Sequence, residues 1–313
     1  MSSDQQSNGQ DLGRRDALRL LTRVAAGSAA AAATPLAAGA AAGATERPHL
    51  NIASLFSLQD KVAVLTDVGG GGSREVALLL AAAGAHVVIA DRVYAPARAL
   101  AAQIVAAGGH AVAFDTDIES EASVVALFQD VAKAAGRVDI LVNCAGMLAR
   151  QPLVETTVQQ WDDVQSLNLR ANFLCMREGV KQMLAAGRGG RIVNITTIGA
   201  LHPVMNGNEA YGAARLGVTG LSRTTALDYA PDGILVNTVL AGAIPGKVSF
   251  HPTTAAALKA GRKMGGPILQ PGRLPFGDGD MTDVAAAVLY LVSPAGRYMT
   301  GQSMVLDGGF LLT

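Results

Sequence analysis

The sequence predicts an α/β fold: a single doubly wound domain with about seven parallel strands in one sheet and helices on both faces. Three observations carry this. From Lys61 onward, short Val- and Ile-rich runs alternate with longer Ala/Leu-rich stretches of helical spacing. The apolar runs are nearly continuous, as strands covered on both faces require. Gly84, Gly108 and Gly136 each close a helical stretch shortly before the next strand, where a left-handed C-cap fits.

The strands are predicted at Val62–Thr66, His86–Ala90, Ala111–Phe114, Val138–Val142, Arg191–Thr196, Ile234–Thr238 and Ser303–Leu306. In such sheets ligands bind outside the carboxyl ends of the strands, so the residues that follow each strand matter most. The first strand runs into Thr66-Asp-Val-Gly-Gly-Gly-Gly-Ser-Arg74. A glycine-rich turn opening a helix lets backbone N–H groups approach a pyrophosphate; loops without a ligand share that composition. Thr66, Gly69, Gly71 and Gly72 are therefore candidate cofactor contacts. Asp91 follows the second strand, where a carboxylate can accept from an adenosine ribose hydroxyl and repel a 2′-phosphate, which favours NAD over NADP.

Composition narrows the partners. The chain has 313 residues, half of them apolar, with 25 basic and 25 acidic side chains, which excludes disorder for most of it. Zero net charge and only 7 Phe, 5 Tyr and 1 Trp lack the basic footprint and stacking platforms of a nucleic-acid binder, leaving a small molecule as the expected partner. Two cysteines and five histidines include no Cys-x-x-Cys and no close His pair, so no metal is expected. Cys144 and Cys175 lie in apolar stretches and are expected as buried thiols, with a disulfide as the alternative.

The first residues read as an address. Arg14 and Arg15 precede a stretch of Leu, Val and Ala that ends in Ala42-Gly-Ala44, the three-part build of an export signal, and the arginine pair resembles the twin-arginine type. Arg23 interrupts the apolar run, so no spanning helix is expected. The expected organisation is a signal over 1–44, a linker over 45–58 and one domain over 59–313. The protein would be periplasmic or otherwise exported, and cytoplasmic if the leader carries no targeting meaning.

Further motifs follow in order. The fourth strand ends in Asn143-Cys-Ala-Gly146, the next helix carries Asn168, the fifth strand reads Arg191-Ile-Val-Asn-Ile-Thr-Thr197, and Tyr211-Gly-Ala-Ala-Arg215 opens another helix. Gly136-Arg-Val-Asp-Ile-Leu-Val, Val236-Asn-Thr and Thr300-Gly-Gln-Ser-Met-Val-Leu-Asp-Gly-Gly309 complete the set. From about Leu58 to the end the chain resembles the short-chain dehydrogenase/reductase family, which implies a Rossmann fold. The resemblance implies hydride transfer between NAD(H) and an alcohol or ketone, with Tyr211 as general acid/base, Thr197 as hydroxyl donor, Asn168 supporting a proton relay and Arg215 beside the phenol. Asp117 and Ile118 resemble the family's adenine contact, and Asn143, Ala145 and Gly146 its cofactor strap. It also implies a homodimer or homotetramer, and a substrate cover between Ile244 and Asp280, where five prolines mix with glycine and apolar residues.

The chain departs from the family pattern at chosen places. Asp67 and Ser73 stand where the turn has glycines, Arg215 where the catalytic helix has lysine, and Ala241 where a Pro-Gly turn has proline; one extra residue separates Thr197 from Tyr211. Arginine keeps the charge but is planar and wider than an ammonium. An ion pair of Asp67 with Arg215 or Arg74 is one expectation. Two further readings stay open: a catalytically silent relative that binds a ligand or partner in the cell envelope, and elimination or isomerisation by Tyr211 with a trapped cofactor. Lys259, Arg262 and Lys263 read as a solvated helix face, with attraction of an anionic substrate as the alternative.

Overall fold

A computed structural model describes residues 51–66, 74–245, 249–263 and 265–313, together with Leu18, Arg19 and Thr22. The proposed export signal otherwise lies outside the described residues, as do Asp67, Gly69, Gly71, Gly72 and Ser73. The strands are β1 (Val62–Thr66), β2 (His86–Asp91), β3 (His110–Asp115), β4 (Ile140–Asn143), β5 (Gly190–Thr197), β6 (Ile234–Ala241) and β7 (Ser303–Leu306). The helices are α1 (Ile52–Phe56), α2 (Arg74–Ala82), α3 (Tyr94–Ala106), α4 (Glu121–Ala135), α5 (Val158–Gln165), α6 (Ala171–Ala186), α7 (Glu209–Tyr229), α8 (Pro252–Lys259) and α9 (Met281–Val292).

All seven strands form one sheet, in the order β3-β2-β1-β4-β5-β6-β7, with every pairing parallel. This is the doubly wound Rossmann architecture the sequence predicts. Each predicted strand is present, with ends shifted by a few residues: β4 begins at Ile140 rather than Val138, and β5 and β6 run on to Thr197 and Ala241. Those extensions are paired to each other, Thr197 opposite Ala241, so neighbouring strands lengthen together. The glycine stops also hold, with φ of 98° at Gly84, 85° at Gly108 and 74° at Gly136, a region that L side chains rarely adopt.

Two apolar layers cover the sheet. On one side Val64, Val88 and Leu141 pack with Phe128 of α4 and Leu174 of α6; on the other Leu65, Ile89 and Val142 pack with Leu80 of α2, Leu100 of α3 and Val288 of α9. Burial on both faces explains the continuous apolar runs. The strand order reverses between β1 and β4, which opens a crevice at their carboxyl ends, the general ligand position of such sheets. The strip Ile52–Phe56 within the expected linker is helical, capped by the Asn51 side chain. Among the described residues no helix is long and apolar enough to cross a membrane.

Candidate active site

The floor of the crevice is a polar row built by register. Thr66 stands opposite Asn143, and Asn143 opposite Asn194. Asn143 Nδ2 donates to Asn194 Oδ1 at 2.7 Å, and Asn194 Nδ2 donates to Ser222 Oγ of α7 at 2.8 Å. Thr66 Oγ1 lies 3.4 Å from Asn143 Oδ1 and accepts from Cys144 N at the same distance. All of Thr66, Asn143, Asn194 and Ser222 are buried, so the chain of bonds satisfies groups that water cannot reach. Neither Asn194 nor Ser222 was among the sequence candidates.

The strap after β4 is clamped from two sides. Asn168 is fully buried; its Oδ1 accepts from Met147 N at 3.0 Å, and its Nδ2 donates to Met147 O at 3.0 Å and Val164 O at 2.9 Å. The turn bearing it, Ser166–Arg170, is a π-helical turn between α5 and α6, a local widening that often marks functional sites. From the opposite side Arg215 Nη2 donates to Ala145 O at 2.7 Å. Gly146 sits between the clamps: a Cβ there would lie 1.9 Å from Arg215 Nη2 and 3.7 Å from Asn168 Oδ1. Glycine is required because the guanidinium fills that space.

Tyr211 and Arg215 occupy one face of α7, one helical turn apart, with the guanidinium carbon 5.1 Å from the Tyr211 ring centroid. Arg215 is buried, and among the described residues it pairs with no carboxylate. Its contacts are the ring, Ala145 O and, at 3.5 Å, Ile195 O, while Nε has no partner. Arg74 bonds Gln103 at 2.7 Å and approaches Glu75 at 3.8 Å; Asp67 lies outside the described residues. Thr197, at the end of β5, accepts from Gly199 N at 3.1 Å, which leaves its own proton unspent by that bond. The first turn of α7 abuts this segment: a Cβ on Gly212 would be 3.5 Å from Gly199 O.

The other half of the crevice holds the adenosine candidates. Asp91 is buried at the end of β2, and its Oδ1 accepts from Val93 N at 2.7 Å. Arg92 pairs with Glu119 at 3.3 Å. Asp117 is exposed and caps Glu119 N at 3.0 Å, whereas Ile118 is buried in the core layer. The structure thus gathers Asn143, Ala145, Gly146, Asn168, Tyr211 and Arg215 into one cluster and sets Asp91 across β1 from it, whereas Ile118 shares a core layer with Ala145 and the next carbonyl, Glu119 O, accepts from Arg170 of the Asn168 turn at 3.0 Å. Cys144 and Cys175 form no disulfide; Cys175 is the buried thiol expected, pushed up to about 12 by burial, whereas Cys144, at the end of β4 beside the crevice, is only half-buried.

The segment expected as a cover packs against α5 and the loop after β4, with Leu148 N donating to Ser249 O and His251 N to Leu148 O. His251 Nδ1 accepts from Thr253 N at 3.3 Å and Nε2 meets Asp163 Oδ2 of α5 at 3.3 Å, pinning the start of α8. Hydrogen bonds from Gln159 and His251 hold the Asp163 carboxyl below its ordinary range. Thr254 Oγ1 accepts from Arg150 N at 2.8 Å, joining the cover to the loop after β4. Sequence reasoning passed over His251, Thr254 and Arg150, which carry no pattern beyond a polar residue in a loop.

A family model described as enoyl-(acyl carrier protein) reductase matches residues 71–311. The chain is 35% identical over 257 residues to trans-4-hydroxycyclohexanecarboxylate dehydrogenase of Sinomonas cyclohexanicum, covering 80% of this chain and 92% of that protein. It is 32% identical over 268 residues to D-threitol dehydrogenase of Mycolicibacterium smegmatis, covering 86% and 99%. A solved structure from Beutenbergia cavernae, named for an NAD(P) dependent gluconate 5-dehydrogenase and holding NADP, superposes with a TM-score of 0.72 at 32% identity over 83% of this chain and 100% of that one. The chain belongs to the short-chain dehydrogenase/reductase family of oxidoreductases.

Proposed function

We propose that the protein interconverts a secondary alcohol and its ketone with NAD(H), using Tyr211 as general acid/base. The observation that carries this is the stack of Arg215 on Tyr211, with the same guanidinium bonded to the Ala145 strap. A cation held there meets the charge that develops on the phenol oxygen as it exchanges a proton with the carbinol. Thr197 orients the carbinol oxygen, and Asn168 keeps the strap in register with both.

The residues present fit a nicotinamide dinucleotide. Arg215 Nε is a buried donor without a partner, held beside the Ala145–Gly146 strap. Asn143, Ala145, Gly146 and Arg215 would hold the nicotinamide ribose end, and Asp91, Asp117 and Ile118 the adenosine end. When bound, the nicotinamide supplies the acceptor or donor of hydride. Asp91 supports NAD over NADP, and the neighbouring arginine that a 2′-phosphate would want is engaged by Glu119. Relatives of known structure include one holding NADP, so the preference rests on these two residues.

The catalytically silent reading keeps one support, the replacement of turn glycines by Asp67 and Ser73. Titration of the purified chain with NAD and NADP, followed by turnover of secondary alcohols in wild type and Tyr211→Phe, decides between them. Binding and turnover that falls about a hundredfold or more in the variant is the expected result; absence of binding supports the silent relative. We further propose export by the twin-arginine-type leader and assembly into a homodimer or homotetramer. Exposed Phe173 and Leu184 on α6, Leu216 and Leu227 on α7, and Val305, Leu311 and Leu312 at the chain end support that assembly.

A further inference from the structure

Lys259, Arg262 and Lys263 are all exposed, as a solvated face requires, but only Lys259 lies on α8, and the other two also form part of a concave wall. Just past α8 they line a cavity of about 390 Å³ together with Arg150, Gln151 and Glu155. Arg150 is only 7% exposed. It donates through Nε and Nη2 to Asn206 O at 3.0 and 2.8 Å and through Nη2 to Gly265 O at 2.6 Å, while Nη1 has no partner. Among the described residues no carboxylate neutralises it. Burial pulls its pKa down, yet an arginine stays charged in such a setting.

The charge count around the cavity is uneven. Arg150, Arg262 and Lys263 face one carboxylate, Glu155, which is already bound to Arg262 at 3.0 Å and to Gln151 at 3.2 Å. A concave wall with excess positive charge focuses field lines and concentrates anions. The cavity adjoins the loop after β4: Arg150 stands on the stretch that begins at Asn143-Gly146, and its N–H donates to Thr254 Oγ1. Asn206 and Gly207 also line a second cavity of about 530 Å³, which runs past Gly199, Glu209 and Gly212, the neighbours of Thr197 and Tyr211. Neither cavity is lined by Asp91 or Asp117, so the anion concerned is not the adenosine end of a dinucleotide.

We infer that Arg150, Arg262 and Lys263 form a subsite for a substrate carboxylate, so that the reaction acts on a hydroxy acid and its keto acid. The inference rests on the alcohol/ketone reading above and adds the class of molecule. A carboxylate fits better than a phosphate because most Arg150 donors are spent on main-chain carbonyls, leaving charge and the Lys263 ammonium rather than a fork of N–H groups.

The test is calorimetric titration of the full chain with trans-4-hydroxycyclohexanecarboxylate, with its neutral primary amide and with inorganic phosphate, in wild type, Lys263→Gln and Lys263→Glu. Lys263 is exposed, so both variants keep the fold, which circular dichroism verifies. The carboxylate should bind about tenfold or more tightly than the amide, and the preference should fall several-fold in Lys263→Gln and vanish in Lys263→Glu. Equal binding of acid and amide, undetectable binding of the acid, a preference untouched in Lys263→Glu, or tighter binding of phosphate each overturns the subsite. Turnover of neutral alcohols without any acid preference would sink the subsite and keep the redox reading. An acid preference without turnover of any alcohol would keep the subsite and sink the redox reading.

Discussion

The Arg215 guanidinium joins two parts of the site at once, lying 5.1 Å from the Tyr211 ring centroid and 2.7 Å from Ala145 O. Removing the guanidinium in Arg215→Met should lower kcat about a hundredfold and, since the same side chain faces the nicotinamide ribose end, weaken NAD binding about tenfold. Arg215→Lys should retain most of the rate, since an ammonium can still stand beside the phenol. Stopped-flow kinetics and a fluorescence titration check both.

Gly146 is tied to the same side chain. A Cβ at that position collides with Arg215 Nη2 at 1.9 Å, so Gly146→Ala should displace the guanidinium and cost activity comparably to Arg215→Met. The narrower lysine relieves the clash. In a double-mutant cycle, Gly146→Ala with Arg215→Lys should therefore be more active than Gly146→Ala alone, and strict additivity would contradict the coupling.

The buried row supports the floor of the crevice. Asn194→Ala leaves Asn143 Nδ2 without its acceptor and opens a cavity, so urea unfolding should show a loss of about 2–4 kcal/mol. Ser222→Ala should cost less, because Asn194 keeps its bond to Asn143.

Cofactor choice should move when its two supports are removed. Asp91→Ser with Glu119→Gln takes away the repelling carboxylate and releases Arg92. The ratio of kcat/KM for NADP over NAD should rise about tenfold or more, with the double variant exceeding either single one.

At the amino ends of β2 and β3, His86 and His110 stand in register with ring centroids 4.8 Å apart. Burial, and then the neighbouring His110, push His86 below its ordinary value of 6.5. The unfolded chain therefore binds more protons than the folded one just below that value, so this stability is complete above about pH 6.5 and is lost as pH falls. Chemical denaturation at pH 7 and about pH 5 should show a smaller drop for His86→Asn than for the wild type.

Much of this was readable in the chain because it is local. Strands written as unbroken apolar runs and glycines at left-handed stops are decided within a few residues, and the Tyr211–Arg215 spacing follows from one helical turn. The unreadable parts depend on pairing between distant segments. Asn194 looks like one more strand residue until β4 and β5 align in parallel and set it against Asn143. Arg150 sits in a loop and gains meaning only from Asn206 and Gly265, more than fifty residues away. The π-helical turn at Ser166–Arg170 has no sequence signature, and the Met147 N–H that its Asn168 accepts from belongs to a different segment of the chain.

One guanidinium, that of Arg150, staples Asn206 O and Gly265 O while its backbone holds Thr254. The segment from 206 leads within a few residues into the helix bearing Tyr211, and the segment at 265 trails the roof. These bonds therefore tie the loop after β4, the approach to the helix bearing Tyr211 and the segment after α8 into one unit.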